Sequence, residues 1–165
     1  YEIPNIIYSL EKEPLGTGGA ILNSLDKIIS DNIFVFNGDS FIDINYEDFY
    51  EFHLKKDSQI SICTNYMKNS SRYGNVIFDE CSRLKELSNY NSDNVFINSG
   101  CYIINTSFLN KLNKIVTKRC FSFEKTILSE MRKKIKIFCY ESTSFFIDIG
   151  IPEDYKLAQK ILFNE

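Results

Sequence analysis

Two carboxylates carry the chemistry that this sequence most readily suggests. Asp39 follows the apolar run Ile33, Phe34, Val35 and Phe36 by way of Asn37 and Gly38. Asp148 closes the run Phe145, Phe146 and Ile147, two residues before Gly150. An apolar strand that stops at a carboxylate beside a glycine places a charge at the strand's carboxyl end. Ligands of open α/β sheets bind in the crevice outside those ends. Two such carboxylates on neighbouring strands suit Mg2+ held with substrate phosphates, because Mg2+ takes one or two protein carboxylates and leaves the remaining positions to water and phosphate oxygens. The plainer reading of Asn37-Gly38-Asp39 is a turn, since all three residue types form turns. That the two strands are neighbours is an expectation only the fold can test.

A glycine cluster is the next candidate. Gly16, Gly18 and Gly19 fall within four residues, from seven glycines in all. Ala20, Ile21, Leu22, Leu25, Ile28 and Ile29 follow at helical spacing, which puts the glycines at a helix N-terminus. Free N–H groups and the positive end of the dipole favour anions there, and glycine lets a ligand approach the backbone. The alternative is a flexible loop before a helix. His53 is the only histidine, with no nucleophile or carboxylate at a suggestive spacing, and reads as a surface or packing residue.

The elements that must position these groups read as an α/β chain. The run 33–36 is expected to be a strand buried on both faces, with a shorter strand over 6–10. An amphipathic helix spans 46–56, with Phe49 and Phe52 facing inward and His53 a candidate for the same face, and an alternating strand spans 59–66. Residues 73–88 suggest an antiparallel β excursion, followed by a polar loop over 89–94. The run 95–104 is one long strand or two short ones, broken at Asn98-Ser99-Gly100, where a strand glycine marks a bulge or the close approach of a ligand. Thr106 and Ser122 are expected to cap two helices, 135–140 to form a strand, and Pro152 to open a last helix with Glu153 and Asp154 suiting its dipole.

Bulk properties narrow the class. The 165 residues suit one domain spanning 1–165, and 44% hydrophobic with 25% charged residues is an ordinary globular composition. A net charge of −3 with scattered basic residues does not suggest a nucleic-acid track. Five cysteines, an odd number without a Cys-x-x-Cys pair, argue against a disulfide framework or zinc knuckle, so a reducing cytoplasm is the simplest compartment. No apolar run is long enough to span a membrane, and no signal peptide is expected. The chain opens without Met at Tyr1, as if entered in mid-domain.

The ordered set Leu15-Gly16-Thr17-Gly18-Gly19-Ala20, Asn37-Gly38-Asp39, Tyr73-Gly74, Asn98-Ser99-Gly100 and Asp148-Ile149-Gly150 resembles the sugar-1-phosphate nucleotidylyltransferases across essentially the whole chain. Within them, Glu11-Lys12-Glu13-Pro14 before the glycines and Phe121-Ser122-Phe123-Glu124 look most like the D-glycero-D-manno-heptose 1-phosphate guanylyltransferases. Mannose-1-phosphate enzymes stand close behind. The resemblance implies a Rossmann-like, GT-A-like three-layer α/β fold with a mixed sheet. It implies transfer of a nucleotidyl group, GMP from GTP, to a sugar 1-phosphate with release of pyrophosphate. Leu15, Gly16, Thr17, Gly18 and Gly38 would hold the nucleotide. Asp39 and Asp148 would be the catalytic Mg2+ ligands, and Gly74, Glu86, Asn98 and Gly100 would line the sugar pocket. A homo-oligomer is compatible with it.

Two departures from the family pattern stand out. Leu87 occupies the place of a lysine that would hold the sugar phosphate, with Lys85 as a candidate substitute. Residues 1–14 match neither the first strand nor the Gly-rich, Arg-bearing loop that grips the triphosphate, elements that would need about 60 residues. The chain is therefore expected to be N-terminally incomplete and, alone, short of the phosphate-cradling half of its site. Competing expectations are a metal-dependent glycosyltransferase using Asp39 and Asp43, a mannose- or glucose-1-phosphate enzyme, and a truncated relative that binds sugar phosphates without turnover.

Overall fold

A computed structural model describes residues 5–68, 72–88 and 93–163. Positions 1–4 and most of the loop expected over 89–94 lie outside them. In chain order the elements are α1 (Gly16–Asn23), a 3-10 turn (Leu25–Lys27), β1 (Asn32–Phe36), β2 (Ser40–Ile42), α2 (Tyr46–Lys55) and β3 (Ile60–Met67). There follow β4 (Asn75–Phe78), β5 (Leu84–Ser88), β6 (Val95–Asn105), α3 (Thr106–Ile115), a π-helix (Phe123–Glu130), β7 (Ile137–Ser142), β8 (Phe146–Asp148) and α4 (Pro152–Phe163).

The main sheet is mixed. Its order is β5-β4-β6-β3-β7, with β1 on β6. Only β3 and β7 run parallel; the other pairs are antiparallel. One face packs Ile60, Ile62, Tyr102 and Ile104 under α3 and the π-helix through Phe108, Leu109, Leu112, Ile127 and Leu128. The other packs Cys63, Cys101 and Ile103 against Phe49 of α2 and Ile42 of β2. Helices on both faces make the three layers expected. Phe49 is fully buried, so its truncation to alanine would cost about 3–5 kcal/mol. Burial raises the thiol of Cys63 to about 11, so it packs as a small hydrophobe.

Several expectations are corrected. Residues 6–10 form no strand; Ile7, Tyr8 and Leu10 are exposed, and the segment is tied to α1 by the Asn23 amide, which donates to the Ser9 hydroxyl and the Leu10 carbonyl. The strand β1 is not buried on both faces. Among the described residues it pairs only with β6, and Phe34 and Phe36 remain 38% and 53% exposed beside Tyr46 and Tyr50. Conversely β3 is buried on both faces from Ile60 to Asn65, because it is an interior strand with Ile60 and Ile62 under α3 and the π-helix and Cys63 against α2. The polar side chains this buries are paired: Thr64 donates to the Tyr140 carbonyl, and Ser61 meets His53. The cap of α3 is Asn105, whose Oδ1 accepts from Phe108 N–H, while the Thr106 hydroxyl donates to the Ser30 carbonyl. Pro152 does open α4. No helix among the described residues is long and apolar enough to cross a membrane.

Candidate active site

The turn that carries Asp39 is built by a bulge in a different strand. In β6, Cys63 pairs with Cys101 and Thr64 with Asn98, so Ser99 and Gly100 form the excess. Ser99 donates to the Cys63 carbonyl and repairs the ladder, while Gly100 takes φ +73°. A side chain on Gly100 would meet the Asn37 amide at 2.6 Å, and Asn37 N–H donates to the Gly100 carbonyl at 2.8 Å. The close approach anticipated at this glycine is therefore made by Asn37. It holds the end of β1, so that Gly38 and Asp39 project into a cleft of about 500 Å3. At Gly38 an added Cβ would meet nothing within 4 Å, so the backbone there is open to a ligand.

Asp148 reaches the same neighbourhood through a second, two-stranded sheet. In the β2–β8 pair Ser40 faces Asp148, and beyond it Ile149 N–H donates to the Asp39 carbonyl at 2.8 Å. The two apolar strands that end at these carboxylates, β1 and β8, are not paired with each other; β2, the strand that follows Asp39, makes the connection. The two side chains have different surroundings. Asp39 lines the first cleft, and none of the ion pairs among the described residues includes it. Asp148 lines a smaller cavity of about 260 Å3 with Arg72, Tyr73 and Asp154. Its Oδ1 accepts Gly150 N–H at 2.7 Å and lies 3.8 Å from Arg72, whose other nitrogen pairs with Asp154 at 2.5 Å.

Those two carboxylates fit a magnesium site in their donor chemistry. Both are hard oxygen ligands, Asp39 in the turn just before β2 and Asp148 at the end of β8, and both contacts of Asp148 use Oδ1, which leaves Oδ2 to a cation. Among the described residues no cluster of three or more His, Cys, Asp or Glu exists, so an ion here would need substrate oxygens to complete its shell.

The glycine loop turns out differently. Gly18 N–H donates to the Phe121 carbonyl at 3.0 Å, and Phe121 N–H donates to the Leu15 carbonyl at 2.9 Å. A Cβ on Gly18 would fall 2.1 Å from the Phe121 ring, and one on Gly19 would fall 2.2 Å from the Arg119 carbonyl. Gly16 and Gly19 thus admit the 119–121 backbone, and Gly18 admits the Phe121 ring. Leu15 lines a separate cavity beside Arg119. Of the expected nucleotide residues, Thr17 and Gly38 line the Asp39 cleft.

The expected sugar residues also divide. Gly74 and Asn98 line a cavity of about 600 Å3. Glu86 does not: Leu87 and Ser88 of β5 line that cavity, and Glu86 is exposed. Gly100 belongs to the bulge. Lys85 pairs with Asp79 at 2.7 Å and does not replace the lysine absent at Leu87.

Glu124 joins the two cavities, since it lines both. Its carboxylate accepts the Thr17 hydroxyl at 3.0 Å and the Ser122 hydroxyl at 3.0 Å, while Thr17 accepts Phe123 N–H at 2.8 Å. Tyr102, 1% exposed, lies beside it and accepts the Asn98 amide at 2.7 Å. Burial first, then the Glu124 charge, raises the Tyr102 phenol above its usual range; the Asn98 bond works the other way. Glu124 sits in the first turn of the π-helix, a rare form that is frequent at functional sites. Only the Phe121–Glu124 signature pointed to it in the sequence, without a role, and Tyr102 read as one more apolar strand position.

His53 is the packing residue expected. It is 2% exposed, with Nδ1 at 2.8 Å from the Ser61 hydroxyl and Nε2 at 3.1 Å from Asn32 Oδ1, and burial lowers its pKa to about 4.

Comparisons with known proteins bear on the family and the fold. The sequence profile described as nucleotidyl transferase matches residues 1–165. The D-glycero-alpha-D-manno-heptose 1-phosphate guanylyltransferase of Aneurinibacillus thermoaerophilus is 36% identical over 160 residues, which cover 96% of this chain and 67% of that protein. The enzyme of the same name from Campylobacter jejuni is 39% identical over 155 residues, 91% of this chain and 64% of that one. The crystal structure of HddC from Yersinia pseudotuberculosis complexed with GMP-PN superposes with a TM-score of 0.78 at 33% identity, covering 92% of this chain and 64% of that chain. The chain thus spans about two thirds of the length of these relatives. It belongs to the nucleotidyl transferase family.

Proposed function

We propose that this chain carries the metal and sugar-phosphate side of a guanylyltransferase site, which transfers GMP from GTP to a sugar 1-phosphate, a heptose, and releases pyrophosphate. The observation that carries the reading is the β2–β8 pairing, which brings Asp39, just before β2, next to Asp148 at the end of β8, with Asp39 on the cleft that Glu124 joins to the Gly74–Asn98 cavity. The names of the heptose relatives and the GMP-PN complex of HddC support the base and the sugar.

The reaction asks little proton chemistry of the protein. An oxygen of the sugar phosphate forms a bond to the α-phosphorus of GTP, and the bond from that phosphorus to the oxygen bridging to the β-phosphorus breaks. The nucleophile is already anionic, because the second pKa of a phosphate monoester is about 6. No general base is required, and His53, buried with both ring nitrogens engaged, is not one. The work is alignment of two anions that repel each other. Asp39 and Asp148 would hold Mg2+, which when bound neutralises phosphate charge. Thr17, Gly38 and the apolar wall of Val35 and Ile21 would take the nucleotide, and Gly74 and Asn98 the sugar. The cytoplasm, where GTP and sugar phosphates are found together, suits the five free thiols.

Incubating the protein, expressed as its gene encodes it, with GTP, D-glycero-D-manno-heptose 1-phosphate and Mg2+ tests the reading. Pyrophosphate should appear only when the sugar phosphate is present. Silence under these conditions, or release that ignores the sugar phosphate, would sink it.

A further inference from the structure

A sugar 1-phosphate brings close to two negative charges, and the cavity lined by Gly74 and Asn98 has Leu87 where a cation was expected. The basic side chains around it are mostly committed. Arg72 is paired with Asp154 and Asp148, Lys85 with Asp79, and the Arg132 guanidinium donates to the carbonyls of Lys85 and Ser129. Lys125 differs. It lines the same cavity as Leu87, and none of the ion pairs among the described residues includes it. Its backbone is anchored, with its N–H donating to the Ser122 hydroxyl at 3.1 Å at the start of the π-helix. Glu124, its neighbour, is engaged by the Thr17 and Ser122 hydroxyls.

Resting on the functional reading above, we propose that Lys125 binds the phosphate of the sugar 1-phosphate and takes the part of the lysine absent at Leu87. The ammonium acts as a point charge on a flexible stem, which suits a phosphate that must move toward the α-phosphorus.

Calorimetric titration with D-glycero-D-manno-heptose 1-phosphate, with the unphosphorylated heptose and with GTP separates the possibilities. Lys125→Met should weaken the sugar phosphate about ten- to a hundredfold, the range of a charge-assisted hydrogen bond, and leave the free heptose and GTP unchanged. Lys125→Arg should restore most of the affinity, and both variants should melt at the parent temperature. Binding of the sugar phosphate that survives Lys125→Met unchanged overturns the inference alone. A parent protein that binds no sugar phosphate overturns the functional reading, and the inference with it.

Discussion

Ser40 and Asp148 face one another across the short β2–β8 pair, and one step along, the Ile149 N–H is bonded to the Asp39 carbonyl. This pairing fixes the spacing of two carboxylates that are distant in sequence. Asp39→Asn and Asp148→Asn should each lower pyrophosphate release by about a hundredfold or more, beyond what residues one shell removed from a metal typically cost. The melting temperature should stay near the parent value, because the backbone bonds, and not the carboxylates, hold the strands together. Near-normal turnover in Asp148→Asn would exclude the two-carboxylate arrangement.

Gly18→Ala should destabilise the fold without touching the cleft. The new methyl would lie 2.1 Å from the Phe121 ring, inside the α1 contact with the 119–121 segment. Overpacking of this kind costs about 1–3 kcal/mol, read as a lower urea midpoint. Adding Phe121→Leu should recover part of the loss. A neutral Gly18→Ala would mean that α1 is not held against this segment.

The parts of this site that were legible in the sequence were those with local punctuation. Asp39 and Asp148 each end an apolar run beside a glycine, and that pattern survives whatever the chain does elsewhere. The glycines of α1 announced a close approach but not its partner, which is Phe121, far along the chain. Glu86 was placed in the sugar pocket, but the irregular β4–β5 register beside it, which the sequence does not announce, leaves Leu87 and Ser88 in that place. Tyr102 sits in an apolar run, where a phenol that serves a site cannot be told from one that fills a core. Lys125 read as a charge near a helix start; only its position on the cavity distinguishes it.

Tyr102→Phe should separate binding from folding. The change keeps the ring in the core and removes the oxygen that receives the Asn98 amide beside Glu124. Losing one hydrogen bond, about 1 kcal/mol, should raise KM for the sugar phosphate about five- to tenfold, since Asn98 is no longer oriented toward a hydroxyl. The KM for GTP should hold. A change in GTP affinity instead would place Tyr102 on the nucleotide side.

His53 makes stability depend on pH in a fixed direction. Its ordinary value is 6.5 and burial lowers it to about 4 in the folded chain. Between those values the unfolded chain holds a proton that the folded chain lacks, so stability rises with pH through this window. The contribution is complete above about pH 6.5 and is lost as pH falls toward 4, up to about 3 kcal/mol in all. The Nε2–H tautomer accounts for both contacts: Nε2 donates to Asn32 Oδ1, which also accepts the Asn105 amide, and Nδ1 accepts from the Ser61 hydroxyl. His53→Gln cannot be protonated in this range. Urea midpoints measured at pH 7 and pH 5 should therefore converge in the variant while the parent loses stability at the lower pH. An equal loss in both proteins would assign the acid sensitivity to the carboxylates and leave His53 without a part in it.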